Sequence, residues 1–96
     1  MAILKDILYK VPLVATSGDM AIEISDFNFD SRQVAGEQLF VAVKGTHADG
    51  HQYINQAIEK GAAAIIAEQL PEKLHDDITY VQVKDSSEAL AIIAAN

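Results

Sequence analysis

The sequence predicts an α/β fold: a small, three-layer-like domain with a mixed β-sheet of about five strands, one parallel βαβ crossover and two to three helices. Residues 39–43 form an apolar run of strand length, as expected for a strand covered on both faces. Apolar residues then recur at helical spacing over 53–58, and 62–67 is a second apolar run. Strand, helix and strand within about 30 residues are typical of a right-handed parallel crossover. A length of 96 residues indicates one domain, 1–96.

The N-terminal part of the chain predicts one helix and one irregular strand. Four apolar residues recur at helical spacing within 2–10, and Pro12 cannot continue that pattern, so we expect a short amphipathic helix there. Residues 16–19 are a cluster of turn-forming types. Over 22–29 the apolar residues alternate in two sets offset by one position, which predicts a strand with a bulge or kink near Asp26.

The crossover helix has both a start and a stop signal. Asp49 followed three residues later by Gln52 resembles a capping box, in which two side chains satisfy backbone N–H groups at a helix start. Lys60 places a positive charge at the last turn, and Gly61 suits the left-handed residue that ends many helices. We therefore expect this helix to end at residue 60 or 61.

The C-terminal third predicts a polar loop over 71–77, a strand over 79–83 and a last helix. Asp85 and Glu88 form a second capping box at the start of that helix. The helical pattern continues to Asn96 without a glycine, proline or basic stop signal. This predicts that the polypeptide is a piece of a longer protein, since termini usually follow a completed element.

Composition excludes several classes of function. Fourteen acidic and seven basic side chains give a formal charge of -7, which argues against nucleic acid as a partner. The absence of cysteine excludes disulfides and thiolate metal sites. No apolar run reaches the roughly 18 residues of a membrane span, and the N-terminus does not resemble a secretion signal. A cytoplasmic location is the default expectation.

Two polar, glycine-containing turns at the ends of strand 39–43 form the candidate site. Asp30, Ser31 and Arg32 follow one strand and precede Gly36. These groups suit either a turn that bonds its own backbone or a small ligand held by a hydroxyl, backbone N–H groups and a local positive charge. From the residues alone the two readings carry about equal weight.

The second turn, 45–51, joins the central strand to the helix, where open α/β sheets characteristically bind ligands. Alternatively, Gly45 and Gly50 serve only tight turns, and His47 and His51 are solvated surface residues. Two histidines four apart in a glycine-containing loop lack a third converging ligand, so we predict no metal site. No glycine-rich phosphate loop or nucleophile elbow occurs in the chain, so we assign no catalytic residue.

Several short motifs within 30–62 occur together in one order. They are Asp30-Ser31-Arg32, Leu39-Phe40-Val41-Ala42, Asp49-Gly50-His51, Tyr53-Ile54, Ala57-Ile58 and Gly61-Ala62, with further glycines at 36 and 45. This string of motifs resembles the N-terminal domain of Mur ligases. The dense match covers about a third of the chain, and the flanking elements agree loosely with it.

The resemblance implies a domain that holds the UDP end of a UDP-N-acetylmuramoyl-dipeptide substrate. On the matching positions, five residues are implied to contact the UDP group, with the last three on the uracil side: Phe29, Ser31, Thr46, His47 and Ala48. Four others are implied to shape the two loops: Asp30, Arg32, Asp49 and Gly50. Thr46 and His47 lie in a part of the loop that varies within the family.

The resemblance also implies an ATP-dependent, amide-bond-forming ligase of peptidoglycan biosynthesis that adds meso-diaminopimelate or L-lysine, the third residue of the stem peptide. ATP, Mg²⁺ and a carbamylated lysine would belong to central and C-terminal domains absent from 1–96. No cofactor is expected within this chain, and residues 1–96 alone should be inactive. The alternatives are the related ligase that adds D-Ala-D-Ala, a non-catalytic protein-interaction module, and a small self-contained nucleotide-binding enzyme.

Overall fold

A computed structural model describes residues 2–44 and 49–96 of the chain. The α/β prediction is confirmed, because the described residues contain three α-helices and a mixed sheet of five strands. In chain order the strands and α-helices are β1 (Ala2–Ile3), α1 (Leu4–Ile7), β2 (Ala15–Ser17), β3 (Glu23–Ile24), β4 (Phe27–Asn28), β5 (Leu39–Val41), α2 (Ile54–Glu59), β6 (Ala64–Ala67), β7 (Thr79–Gln82) and α3 (Ser86–Ala95). Two 3₁₀ helices, Ser31–Gln33 and Gly50–Tyr53, lie before β5 and α2.

The main sheet has the strand order β2-β7-β6-β5-β4. Strands β4 to β7 run parallel to one another, and β2 pairs antiparallel with β7 at one edge. The predicted crossover is confirmed as β5, α2 and β6. Two further parallel connections, β4 to β5 and β6 to β7, pass through a 3₁₀ helix and an irregular loop respectively. The carboxyl ends of four consecutive strands therefore lie at one edge of the sheet.

Alternating side chains of the parallel strands supply two separate cores. Leu39 and Val41 of β5 belong to a core with residues of α1 and α3. Phe40 of the same strand belongs to the opposite core, with Ile54 and Ala57 of α2. Burial of both faces explains why β5 and β6 read as uninterrupted apolar runs. Helices on both sides of the sheet give the three-layer arrangement expected from the sequence.

The N-terminal predictions need three corrections. The helix predicted over 2–10 is shorter, because Ala2–Ile3 pairs with Glu23–Ile24 in a separate two-stranded sheet and only Leu4–Ile7 is α-helical. The predicted turn at 16–19 contains part of β2, which the backbone pairs with β7 although its residues are largely exposed. The single bulged strand predicted over 22–29 is two strands, and the chain passes from the small sheet to the large one at residues 25–26.

The predicted helix signals act close to their expected positions. Asp85 Oδ1 accepts the Glu88 backbone N–H at 3.0 Å and begins α3. Asp49 accepts the His51 backbone N–H at 3.0 Å, so it caps the 3₁₀ helix before α2 rather than α2 itself. Gly61, with φ of 108°, follows the end of α2 in the left-handed conformation that glycine adopts without strain.

Candidate functional site

A cleft of about 660 Å³ lies at the carboxyl ends of β4 and β5, between the first 3₁₀ helix and the start of α2. Nine described residues line it: Phe29, Asp30, Ser31, Arg32, Phe40, Val43, Gly50, Tyr53 and Gln56. Because β4 and β5 are parallel, the segments that follow them leave the sheet at the same edge. This is the position at which open α/β sheets bind ligands.

Ser31 lies inside the cleft wall rather than on an exposed turn. Its side chain follows β4 in the first 3₁₀ helix and is only 6% exposed. The Ser31 hydroxyl donates a hydrogen bond to Oε1 of Gln56, with an Oγ to Oε1 distance of 3.0 Å. This bond joins the segment after β4 to helix α2 across the cleft.

Asp30 and Arg32 form a two-point ion pair at the rim of the cleft. Arg32 Nε and Nη2 donate to the two Asp30 carboxylate oxygens at 3.1 and 2.9 Å, and the Arg32 backbone N–H donates to Oδ1 at 3.0 Å. These hydrogen bonds lower the pKa of the Asp30 carboxyl and raise the pKa of the Arg32 guanidinium, so the pair is ionised at neutral pH. The Arg32 side chain is 77% exposed, and such pairs contribute little to folding stability.

Three of the nine residues that line the cleft are aromatic. Phe40 of β5 is completely buried in the core beneath it. Phe29 and Tyr53 remain exposed although both line the cleft. Large exposed rings beside polar groups are suited to stacking on a planar ligand.

Asp49 and His51 hold the base of the second loop. The Asp49 carboxylate accepts the His51 backbone N–H and contacts ring Nδ1 at 2.6 Å, and these hydrogen bonds lower the pKa of Asp49. Nε2 of His51 accepts the Glu68 backbone N–H at 2.9 Å, beyond the end of β6. An accepting Nε2 assigns the ring proton to Nδ1, which donates to Asp49. His51 is therefore a partly buried link between two strand ends, and the solvated alternative for this residue is wrong.

The same network reaches helix α3 through Glu68. Its carboxylate Oε2 accepts the Ser86 backbone N–H at 2.9 Å and the Ser86 hydroxyl at 2.8 Å. The two hydrogen bonds from Ser86 lower the pKa of Glu68. Side chains after β5, β6 and β7 are thus connected along one edge of the sheet.

Phe29 and Ser31, two of the residues predicted to contact the UDP group, both line this cleft. The other three predicted UDP-contacting residues, Thr46, His47 and Ala48, lie outside the described residues.

Sequence reasoning missed four residues that line the cleft: Phe40, Val43, Tyr53 and Gln56. One signal was available, because Tyr53 and Gln56 are three positions apart at a helix start and such residues share a face.

Within residues 2–44 and 49–96, no group of three or more histidine or carboxylate side chains is placed to hold a metal ion. In the same part of the chain, no helix combines the length and apolar character that crossing a membrane requires.

Comparison with known proteins gives concordant matches. Residues 23–96 match the family described as "Mur ligase family, catalytic domain". The chain is 46% identical over 94 residues to UDP-N-acetylmuramoyl-L-alanyl-D-glutamate--2,6-diaminopimelate ligase of Cytophaga hutchinsonii, covering 97% of this chain and 19% of the relative. It is 49% identical over 92 residues to the protein of the same name in Bacteroides thetaiotaomicron, covering 96% of this chain and 19% of the relative.

A similar solved structure is MurF ligase from Thermotoga maritima in complex with ADP, with a TM-score of 0.62 and 39% identity. The match covers 72% of this chain and 16% of that protein. The chain thus spans about a fifth of the length of the curated relatives. The family match extends over most of the chain and includes both loops of the cleft, and the chain belongs to the Mur ligase family.

Proposed function

We propose that residues 1–96 are the N-terminal domain of a Mur ligase and bind the UDP moiety of UDP-N-acetylmuramoyl-L-alanyl-D-glutamate. The observation that carries this proposal is the cleft at the carboxyl ends of β4 and β5, which contains Phe29 and Ser31. The relatives named above take their names from this nucleotide-linked dipeptide.

The chemistry of the cleft suits a uridine nucleotide. Exposed rings of Phe29 and Tyr53 offer apolar faces for a planar base. Ser31 and Gln56 supply hydrogen-bonding groups inside the cleft. The Arg32 guanidinium provides N–H donors at the rim of the cleft, where Asp30 offsets its charge, in a chain whose formal net charge is -7. An anionic diphosphate needs such local donors because the overall charge opposes it.

The remaining site residues take roles that follow from the family pattern and from their contacts. Thr46, His47 and Ala48 would line the uracil side of the ligand, which is a proposal from the resemblance. Asp30 and Arg32 would shape the first loop through their ion pair. Asp49 and Gly50 would shape the second, since Asp49 binds His51 and the Gly50 N–H donates to the Val43 carbonyl at 2.8 Å.

We further propose that the complete polypeptide is an ATP-dependent acid–amino-acid ligase of cytoplasmic peptidoglycan synthesis and cell-wall formation. ATP and Mg²⁺ would bind in domains beyond residues 1–96, because this chain has no glycine-rich phosphate loop and its described residues form no metal-binding cluster. The names of the relatives support 2,6-diaminopimelate as the amino acid added. Residues 1–96 alone would bind the substrate without turnover.

The ligase that adds D-Ala-D-Ala is the second candidate. The solved MurF structure favours it, but that match has 39% identity and covers 72% of this chain. The diaminopimelate ligase of Bacteroides thetaiotaomicron has 49% identity over 96% of the chain, which favours the first candidate.

The proposal is tested by titrating the ¹⁵N-labelled chain with UDP and recording backbone amide spectra. We expect progressive shifts at Phe29 and Ser31, and smaller changes on the opposite face of the sheet. Ser31→Ala should weaken UDP binding roughly fivefold, because a neutral hydrogen bond contributes about 1 kcal/mol. Ser87→Ala, on the exposed surface of α3, is the matched control and should leave the affinity unchanged.

The absence of amide shifts in the cleft at millimolar UDP would refute the binding proposal. Equal affinities for Ser31→Ala and Ser87→Ala would restrict Ser31 to a structural role in the turn.

A further inference from the structure

Gln56 is a polar residue of the cleft to which the family pattern assigns no role. Its side chain is half-buried in the first turn of α2 and lines the cleft with Ser31, Phe29 and Tyr53. Its Oε1 accepts the Ser31 hydroxyl proton at an Oγ to Oε1 distance of 3.0 Å. This hydrogen bond therefore determines which donors and acceptors Gln56 and Ser31 present to a ligand.

The Ser31 hydroxyl cannot donate to Gln56 and to a ligand at the same time. A serine hydroxyl has one proton, and here that proton is directed at Gln56 Oε1. The Ser31 oxygen then faces the cleft with lone pairs only, so it accepts hydrogen bonds and cannot donate to a phosphate. The Gln56 Nε2 amide carries two N–H donors, and within the described residues the only hydrogen bond of this side chain is the one that Oε1 accepts from Ser31.

We propose that Gln56 is a ligand-binding residue that donates its amide N–H to an oxygen of the nucleoside diphosphate and holds Ser31 as an acceptor. This inference rests on the proposed function. Two oxygen types share the required chemistry, a uracil carbonyl and a diphosphate oxygen. Ser31 then pairs with a ligand donor, such as a ribose hydroxyl or the uracil N–H.

A hydrogen bond from Gln56 to the ligand also explains how a chain with a net negative charge can bind an anionic ligand in this cleft. The Arg32 guanidinium is already engaged by the Asp30 carboxylate, so its charge is largely compensated. Gln56 adds N–H donors without adding a group that needs a counter-ion. Its half-buried position limits competition from water, which strengthens a hydrogen bond to a ligand oxygen.

The test compares Gln56→Glu with Gln52→Glu by isothermal titration with UDP and with uridine. Gln56→Glu retains an oxygen that accepts from Ser31 but removes the N–H donors and adds a negative charge. Gln52→Glu makes the same change on an exposed side chain outside this cleft. We expect Gln56→Glu to weaken UDP binding at least tenfold and Gln52→Glu to weaken it less than threefold.

A neutral variant separates the lost donor from the added charge. Gln56→Met has similar length and no hydrogen-bonding N–H, and it should weaken UDP binding several-fold with an unchanged circular dichroism spectrum. The Gln56 side-chain NH₂ signals, identified by their loss in Gln56→Met, should shift when UDP binds to the unmodified chain. A purely structural side chain would not give that shift.

The uridine titration identifies the accepting oxygen. Equal losses of uridine and UDP affinity in Gln56→Met place the contact on the nucleoside, and a loss confined to UDP places it on the diphosphate. Either result supports the inference. UDP binding to the unmodified chain together with equal affinities for both glutamate variants would overturn the inference alone. No UDP binding to the unmodified chain would overturn the proposed function and the inference with it.

Discussion

Replacing Gly50 with alanine should destabilise the base of the second loop. A Cβ atom at this position would lie 2.8 Å from Val43 N, 2.9 Å from Val43 O and 3.1 Å from Ala42 Cα. These are backbone atoms, and the Ala42 N–H is held by the Ile66 carbonyl at 2.8 Å. The neighbouring chain cannot move away by rotating a side chain, so the 3₁₀ helix that begins at Gly50 must shift.

The size of the effect follows from three contributions. Overpacking beside rigid backbone costs about 1–3 kcal/mol. The shift also weakens the hydrogen bond from Gly50 N–H to Val43 O, now 2.8 Å long, which contributes about 1 kcal/mol. Alanine also makes the unfolded chain less flexible than glycine does, which offsets about 0.4–1 kcal/mol of this loss of stability. We expect the free energy of unfolding to fall by about 2 kcal/mol, which lowers Tm by roughly 8–16 °C for a domain of this size.

Gly36→Ala is the matched control for this prediction. A Cβ at Gly36 would meet no described atom within 4 Å, and its φ is not in the left-handed region. This change should leave stability unchanged or raise it slightly. Urea denaturation followed by circular dichroism gives the free energy of unfolding for both variants. A Gly50→Ala value within about 0.5 kcal/mol of Gly36→Ala would refute the packing argument.

Two further predictions concern helix α3. Hydrogen bonds from Ser86 hold the pKa of Glu68 below its ordinary value of 4.5, so the stability they provide is present above pH 4.5 and is lost as pH falls through the lower folded-state pKa. Urea unfolding at a series of acidic pH values should therefore show a smaller loss of stability in Glu68→Gln than in the unmodified chain. A pH profile identical to that of the unmodified chain would contradict this. Asp85→Ala removes the acceptor for the Glu88 N–H and should lower the free energy of unfolding by about 1 kcal/mol. Asp76→Ala, in an exposed loop, should leave the free energy of unfolding unchanged. Equal free energies of unfolding for the two alanine variants would show that Asp85 does not stabilise α3 as its N-cap.

Local patterns were sufficient to predict the crossover and its helix signals. The apolar runs of β5 and β6 reflect strands buried on both faces, so their periodicity is visible without knowing their neighbours. Asp85 and Gly61 act through backbone groups within a few residues of themselves. The prediction that Phe29 and Ser31 contact a ligand came from the resemblance to the Mur ligase family, and both residues line the cleft.

Other elements depend on partners that are distant in the sequence. Strand β2 is largely exposed and has no apolar pattern, and it exists because its backbone pairs with β7 more than 60 positions away. The segment 22–29 divides because its two halves pair with different strands, β1 and β5. The sequence of this segment does not identify either partner strand, because apolar residues alternate in the same way in both sheets.

The sequence by itself determined the α/β class, the parallel crossover and the motif that marks the family, because these depend on periodicity and on neighbouring residues. Only the tertiary structure showed that Ser31 donates to Gln56, 25 positions away, and that His51 accepts from the backbone of Glu68, 17 positions away. The physical reason is the parallel sheet: the segments after β4, β5 and β6 emerge at one edge, which brings these side chains within hydrogen-bonding distance.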